Sequence, residues 1–395
     1  MVGWALLTDV IPLYPLYALL FSDTGLSGAE ISALFAIWST VSILAEVPSG
    51  VLADRLSRRG ALSAAGVLQA LGYLWWITLP GFPGFAVGFL LWGLGGALIS
   101  GAQEALLYDG LVAAAAQEHY AQVQGWVTAV GLVAQLPAAA AATVLFALGG
   151  YPLAGWVSIG VCLAAAVLAS RLPEPSRARA APSDGTGPGY RATLKARVVQ
   201  AATRPAVRTA VLAVAVLGAL DALEEYFPLL ARDWGVPISL VPFVVLGITL
   251  GGAAGAALGG AASRWRSWSL ALLFGIAVLA LGAAGLAHQP IALIGVVVFY
   301  GLYRMVWVVA DARLQERIDG SFRATVTSVA GMAIDVACLV LYVVWAAGGV
   351  VLVAAVWLMA AAALPCWLGT RVRAHRSPDR VRCRRPLSFS TGPNG

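Results

Sequence analysis

Asp9, Asp221, Glu224, Glu225, Arg304 and Asp335 stand well inside long apolar runs, where a charge is expensive and is by default a candidate for function. Asp221, Glu224 and Glu225 fall at i, i+3 and i+4, a spacing that puts them on one face of an α-helix. Three carboxylates that close cannot all ionise cheaply in a low dielectric, so the set is suited to taking up and releasing a proton. Asp221 is expected to lie deepest and to matter most. Asp9, about 12 Å into the first run at a rise of 1.5 Å per residue, and Asp335, about 16 Å into the eleventh, come next. Arg304 is the one basic residue within an apolar run. It could bind an anion, or it could neutralise Asp335 or Asp9. Tyr14, Tyr17, Tyr303 and Trp307 lie near these charges and are candidates to line a cavity.

Other chemistries find no support. There is no phosphate-binding Gly-rich loop, no Gly-x-Ser-x-Gly and no His-Glu-x-x-His. The three His (His119, His288, His375) fall near loops. Cys162, Cys338 and Cys366 sit in apolar runs, and with Cys383 they form no CxxC pair. Neither a disulfide, a metal nor a cofactor is expected, and an enzyme is disfavoured.

The elements that must hold these residues follow from composition. Of 395 residues, 60% are hydrophobic and 11% charged, against about 25% charged in soluble chains. Lipid must cover part of that surface, and a backbone in lipid must satisfy its own hydrogen bonds. The runs are about 20 residues long without alternating polarity, which selects helices over a barrel. Twelve spans are expected, at 2–21, 28–53, 61–80, 84–107, 124–148, 153–170, 207–228, 238–262, 268–287, 291–310, 324–346 and 349–368. The first has no basic leader and no small-residue cleavage site, so it reads as a span and not as a cleaved signal.

Basic residues set the orientation. Arg55, Arg58 and Arg59, eight Lys/Arg between Arg171 and Arg208, Arg264 and Arg266, Arg313, Arg317 and Arg323, and seven Arg after Gly369 all fall on one side. Arg232 alone falls on the other. Both termini are therefore expected in the cytoplasm of a cell whose cytoplasmic membrane the chain crosses many times. Loop 171–206, rich in Pro, Gly, Ser and Arg, reads as a linker between six-helix bundles at 1–170 and 207–368. The segment 369–395 reads as a basic tail. The net charge of +6 is confined to these loops and the tail, so no nucleic-acid partner is expected. Two echoes at nearly one offset suggest duplication: Asp23-Thr-Gly25 with Asp233-Trp-Gly235, and Gly50 to Arg55 with Gly259 to Arg264.

The stretch Glu46-Val-Pro-Ser-Gly50-Val-Leu-Ala-Asp54-Arg55-Leu-Ser57-Arg58-Arg59 resembles the signature loop of the major facilitator superfamily, with Ser57 in place of a Gly. Gly101 to Asp109 and Arg323 to Ser328 resemble stretches of a bacterial branch. The resemblance implies an all-α membrane protein of two pseudo-symmetric six-helix bundles and a monomer in lipid, with a small-molecule substrate and protons as partners. It also implies a cytoplasmic gate at Gly50, Asp54, Arg55 and Arg58, for which Glu104 and Asp109 are candidate partners. The Gly251, Gly255 and Gly259 stripe and the Ala138 to Ala142 run would face each other between the halves. Two exporter features are missing: Phe89 stands where an Arg is usual, and span five reads Gly131 to Pro137 without the Gly-Pro-x-x-Gly-Gly pattern. The leading expectation is proton-coupled export of a drug-like or amphipathic compound. The alternatives are a proton symporter or uniporter for a nutrient or anion, and a non-transporting membrane scaffold.

Overall fold

The computed structural model describes residues 1–55, 57–174, 205–317 and 323–369, and gives only the backbone path at 46–55. Every regular element among the described residues is helical. Nine helical stretches there are long and apolar enough to cross a membrane. Two of these, Gln117–Ser170 and Val329–Leu368, are too long for one crossing. Each is two spans joined at a Gly-Gly pair, Gly149 with Gly150 and Gly348 with Gly349. The shorter pieces Pro205–Gly218, Ala219–Tyr226 and Phe227–Asp233 make the seventh span. Among the described residues this makes twelve crossings in two sets of six.

The two Gly-Gly breaks share one geometry. Gly150 has φ 63°, ψ −158° and Gly349 has φ 60°, ψ −156°, a region that essentially only glycine occupies. The turn after span one and the turn after span seven are also copies. Leu26 N–H donates to Phe21 O at 3.2 Å, and Val236 N–H donates to Ala231 O at 2.9 Å. Span two opens on a capping box, in which Glu30 accepts from the Ser27 N–H at 2.8 Å and Ser27 Oγ accepts from the Glu30 N–H at 3.3 Å. Such reciprocal capping satisfies two otherwise orphaned donors.

Spans one and seven are both interrupted at mid-membrane. Span one runs Val2–Asp9, then a 3-10 turn Tyr14–Leu16, then Tyr17–Asp23. Span seven carries a 3-10 stretch over Ala219–Tyr226. Backbone groups freed at membrane depth need partners, and side chains supply them. Leu13 N–H donates to Ser158 Oγ at 3.0 Å, and Trp357 Nε1 donates to Val216 O at 2.7 Å.

The glycine stripe of span eight does not face span five as expected. It packs within its own half against span ten (Leu293–Glu316). A Cβ on Gly255 would stand 1.8 Å from Gly301 O, and one on Gly251 would stand 2.7 Å from Val297. Small residues allow this backbone approach, which holds span ten, with Tyr300, Tyr303 and Arg304, hard against span eight.

A carboxylate-lined cavity between the halves

Spans one, three, four, five, seven and eight enclose a cavity of about 510 Å³. Its charged lining is Asp9, Glu224 and Glu225, and among the described residues no Lys, Arg or His lines it. Tyr14, Tyr17, Trp4 and Trp92 supply aromatic walls, and Gln69, Gln103, Gln124 and Gln135 supply amides. Asp9 reaches it from the end of the first helix of span one. Its Oδ2 lies where a Cβ on Gly131 of span five would come within 2.8 Å.

The three carboxylates of span seven are split, because a 3-10 helix has three residues per turn. Residues i and i+3 eclipse there, and i+4 points a third of a turn away. Asp221 and Glu224 therefore meet span ten together. Tyr300 O–H lies 3.2 Å from Asp221 Oδ1 and in short contact with Glu224 Oε1. Tyr303 O–H donates to Asp221 at 2.9 Å, and Arg304 pairs with Asp221 at 2.5 Å. The Arg304 guanidinium also lies 5.1 Å from the Trp307 ring centroid. Glu225 turns the other way, toward the Tyr14 hydroxyl across the halves. Among the described residues no cation lies in ion-pair range of it.

The expected order of depth is thus reversed. Glu225 is 8% exposed, while the Asp221 side chain is 38% exposed. Asp221, Arg304, Tyr303 and Trp307 stand behind the cavity wall and not in it. Arg304 is matched by Asp221 and by neither Asp9 nor Asp335. Asp335 is half-buried on span eleven near Cys338. Tyr14 and Tyr17 line the cavity.

At the end carrying the basic loops, the charges join segments of the N-terminal half. Arg58 pairs with Asp109 and donates to Ala105 O at 2.7 Å. Ser57 Oγ donates to Glu174 at 2.5 Å, and Arg59 lies 3.7 Å from the same carboxylate. Glu104 shares a shallow hollow with Arg58 and Asp109. The side chains of Gly50, Asp54 and Arg55 lie outside the described residues.

Among the described residues, several side-chain contacts join the halves between mid-membrane and the opposite end. Asp23 pairs with Arg232, and Tyr151 O–H donates to Asp23 at 2.5 Å. Ser32 and Tyr226 hydroxyls bond at 2.8 Å, Ser39 donates to Tyr342 at 3.4 Å, and Thr143 donates to Ser239 O at 2.9 Å. Phe35 packs edge-on to Tyr226, with centroids 5.2 Å apart. Little in the sequence marks this seam. The one signal was Arg232, the lone basic residue on its side, opposite an acidic turn. Phe89, where exporters place an Arg, is 2% exposed among Tyr17, Phe21, Phe35 and Trp76, so here that position is aromatic core.

Two six-helix halves around a carboxylate-bearing cavity define a multi-span membrane transporter fold. The family model of the Major Facilitator Superfamily matches residues 2–342, and the chain belongs to that superfamily. Solved structures agree in fold. A D-xylose-proton symporter superposes with a TM-score of 0.69 at 15% identity, covering 92% of this chain and 95% of that one. The nucleoside transporter NupG gives 0.70 at 13% identity, covering 93% and 96%. A bacterial homolog of the human lysosomal transporter Spinster, in an inward-facing and occupied conformation, gives 0.66 at 16% identity, covering 88% and 80%. No curated protein matches the chain.

Proposed function

We propose that this chain is a proton-coupled secondary transporter that moves a small amphipathic organic cation by alternating access. The observation that carries the reading is the lining of the cavity: three carboxylates, four aromatic residues and, among the described residues, no basic side chain. Its volume falls within the roughly 300–1,000 Å³ of small-molecule sites. Aromatic faces and carboxylates together attract a desolvated cation, and Arg304, matched by Asp221, leaves an anionic substrate without a counter-charge. Glu225, buried without a cation, and Glu224 are the groups through which protons would be coupled, since a buried charge must be paired or neutralised.

The basic loops are taken as cytoplasmic. The Asp23–Arg232 seam then closes the outer end, and the cycle requires it to part while the other end closes. Export is the direction carried over from the sequence. The reading is tested with tetraphenylphosphonium in proteoliposomes. An imposed pH gradient should drive the cation against its own gradient in the parent protein, and protein-free vesicles should not do so. Equal flux in both would reject it.

A second reading rests on the four glutamines. Amides donate and accept, so the same wall suits a neutral polyhydroxylated solute taken up with a proton, as in the D-xylose-proton symporter of like fold. Thermal stabilisation by sugars or nucleosides, and none by organic cations, would favour it.

A further inference from the structure

The contacts behind the cavity wall allow the protons to be counted. Asp221 Oδ1 takes hydrogen bonds from Tyr303 at 2.9 Å and Arg304 at 2.5 Å. Arg304 has no acceptor capacity and Tyr303 has one proton to give, so Asp221 is the ionised acceptor of that pair. Tyr300 then lies between two carboxyl groups, 3.2 Å from Asp221 and in short contact with Glu224. A hydroxyl has one proton. If Glu224 were also ionised, one of the two contacts would set lone pairs against lone pairs. If Glu224 carries a proton, every contact is satisfied: Glu224 O–H donates to Tyr300, and Tyr300 O–H donates to Asp221.

Charge counting agrees. One guanidinium faces two carboxyl groups, so the cluster is neutral only with one proton on it. The groups facing Glu224 are Asp221, Tyr300, Tyr303 and Arg304, with Tyr14 across the cavity. None but Arg304 is cationic, and Arg304 is committed to Asp221.

We infer that Glu224 holds a proton on the cavity side of a Glu224–Tyr300–Asp221 chain, that Tyr300 is the positioning residue which keeps it there, and that Asp221–Arg304 is its fixed anchor. The role expected for Asp221 passes to Glu224. The inference rests on the reading of the cavity as the transport path only for its use, since the proton itself is a property of the resting protein.

The test is infrared difference spectroscopy of the purified protein in lipid at neutral pH, following the carbonyl stretch of a protonated carboxylic acid. Subtracting Glu224→Gln from the parent should leave one acid band, whereas subtracting Glu225→Gln should leave that band in place in both. Tyr300→Phe should keep the band but shift it, because the acid loses its acceptor. Glu224→Asp, one methylene short of Tyr300, should shift it likewise, and it serves if Tyr300→Phe does not fold. No band in the Glu224→Gln difference, a band that goes with Glu225→Gln instead, or no shift in either of the last two variants would overturn the inference. Failure of tetraphenylphosphonium to move would reject the proposed substrate and leave the infrared result standing.

Discussion

Spans one and seven are copies that have come to do different work. Both break into a 3-10 turn at mid-membrane, and at the shared offset of 210 set by Gly25 and Gly235, Tyr14 corresponds to Glu224. Both breaks are braced from equivalent places: Ser158 on span six and Trp357 on span twelve stand nine residues beyond Gly149 and Gly348, respectively. Around span one, the C-terminal piece is packed by aromatic rings, with Tyr17 against Phe21, Phe35, Trp76 and Phe89. Around span seven, the break is wired to Tyr300, Tyr303 and Arg304. The backbone device is common to both halves, and only around span seven does span ten bring a hydroxyl and guanidinium cluster to it.

The comparison can be broken by removing the wiring. Asp221→Ala should cost the most, because it strips a partly buried Arg304 of its counter-ion. Breaking a buried pair costs about 3–5 kcal/mol, and part exposure trims this to about 2–3 kcal/mol. Thermal unfolding in lipid or detergent should fall accordingly, and Asp221→Leu with Arg304→Met should recover most of the loss. Unchanged unfolding in Asp221→Ala would show that the pair is not holding span ten.

It can be sharpened at the brace between spans eight and ten. Gly255→Ala would push a methyl into Gly301 O, and overpacking of this kind costs about 1–3 kcal/mol. The loss should reach transport as well as stability, because span ten carries Tyr300. Gly247→Ala, which meets nothing within 4 Å, is the control and should leave both at parental levels.

A smaller effect on stability is expected at the seam. The Asp23 and Arg232 side chains are 26% and 34% exposed, and pairs of that kind contribute about 1 kcal/mol or less. Their removal should instead shift the balance of open and closed states. A cleavable thiol-to-thiol cross-linker between Asp23→Cys and Arg232→Cys should arrest transport until it is cleaved, while full transport in the cross-linked protein would place the moving seam elsewhere. The smallest change is expected from Asp109→Asn. It loosens Arg58 within one half, so it should slow transport while leaving unfolding within about 0.5 kcal/mol of the parent.

Much of the fold was legible because lipid leaves so few options. Long uncharged runs locate the spans, and the asymmetry of Arg pairs them into a consistent topology. The capping box is written in the sequence as Ser27-Gly-Ala-Glu30, and the turns at Gly25 and Gly235 point to the duplication. The Gly-Gly breaks were less visible, because Gly149 and Gly348 stand in chains already rich in Gly. The site was legible in its residue types and not in its geometry. Asp221, Glu224 and Glu225 were read on α-helical spacing, and the 3-10 stretch separates the third from the other two. Arg304 stood out as a lone cation, but choosing Asp221 over Asp9 or Asp335 as its partner needed the packing of span ten on span eight. The glutamines carried no signal, since an uncharged amide in an apolar run neither breaks the hydropathy nor marks a motif.

The central claim is that Glu224 carries the transported proton, and it is tested most directly by separating uphill from downhill movement. In proteoliposomes, Glu224→Gln is fixed in the neutral form. It should lose pH-gradient-driven accumulation of tetraphenylphosphonium while still exchanging internal for external cation, and Gly247→Ala, outside the cavity lining, should keep accumulation. Accumulation at the parental rate in Glu224→Gln would contradict the account.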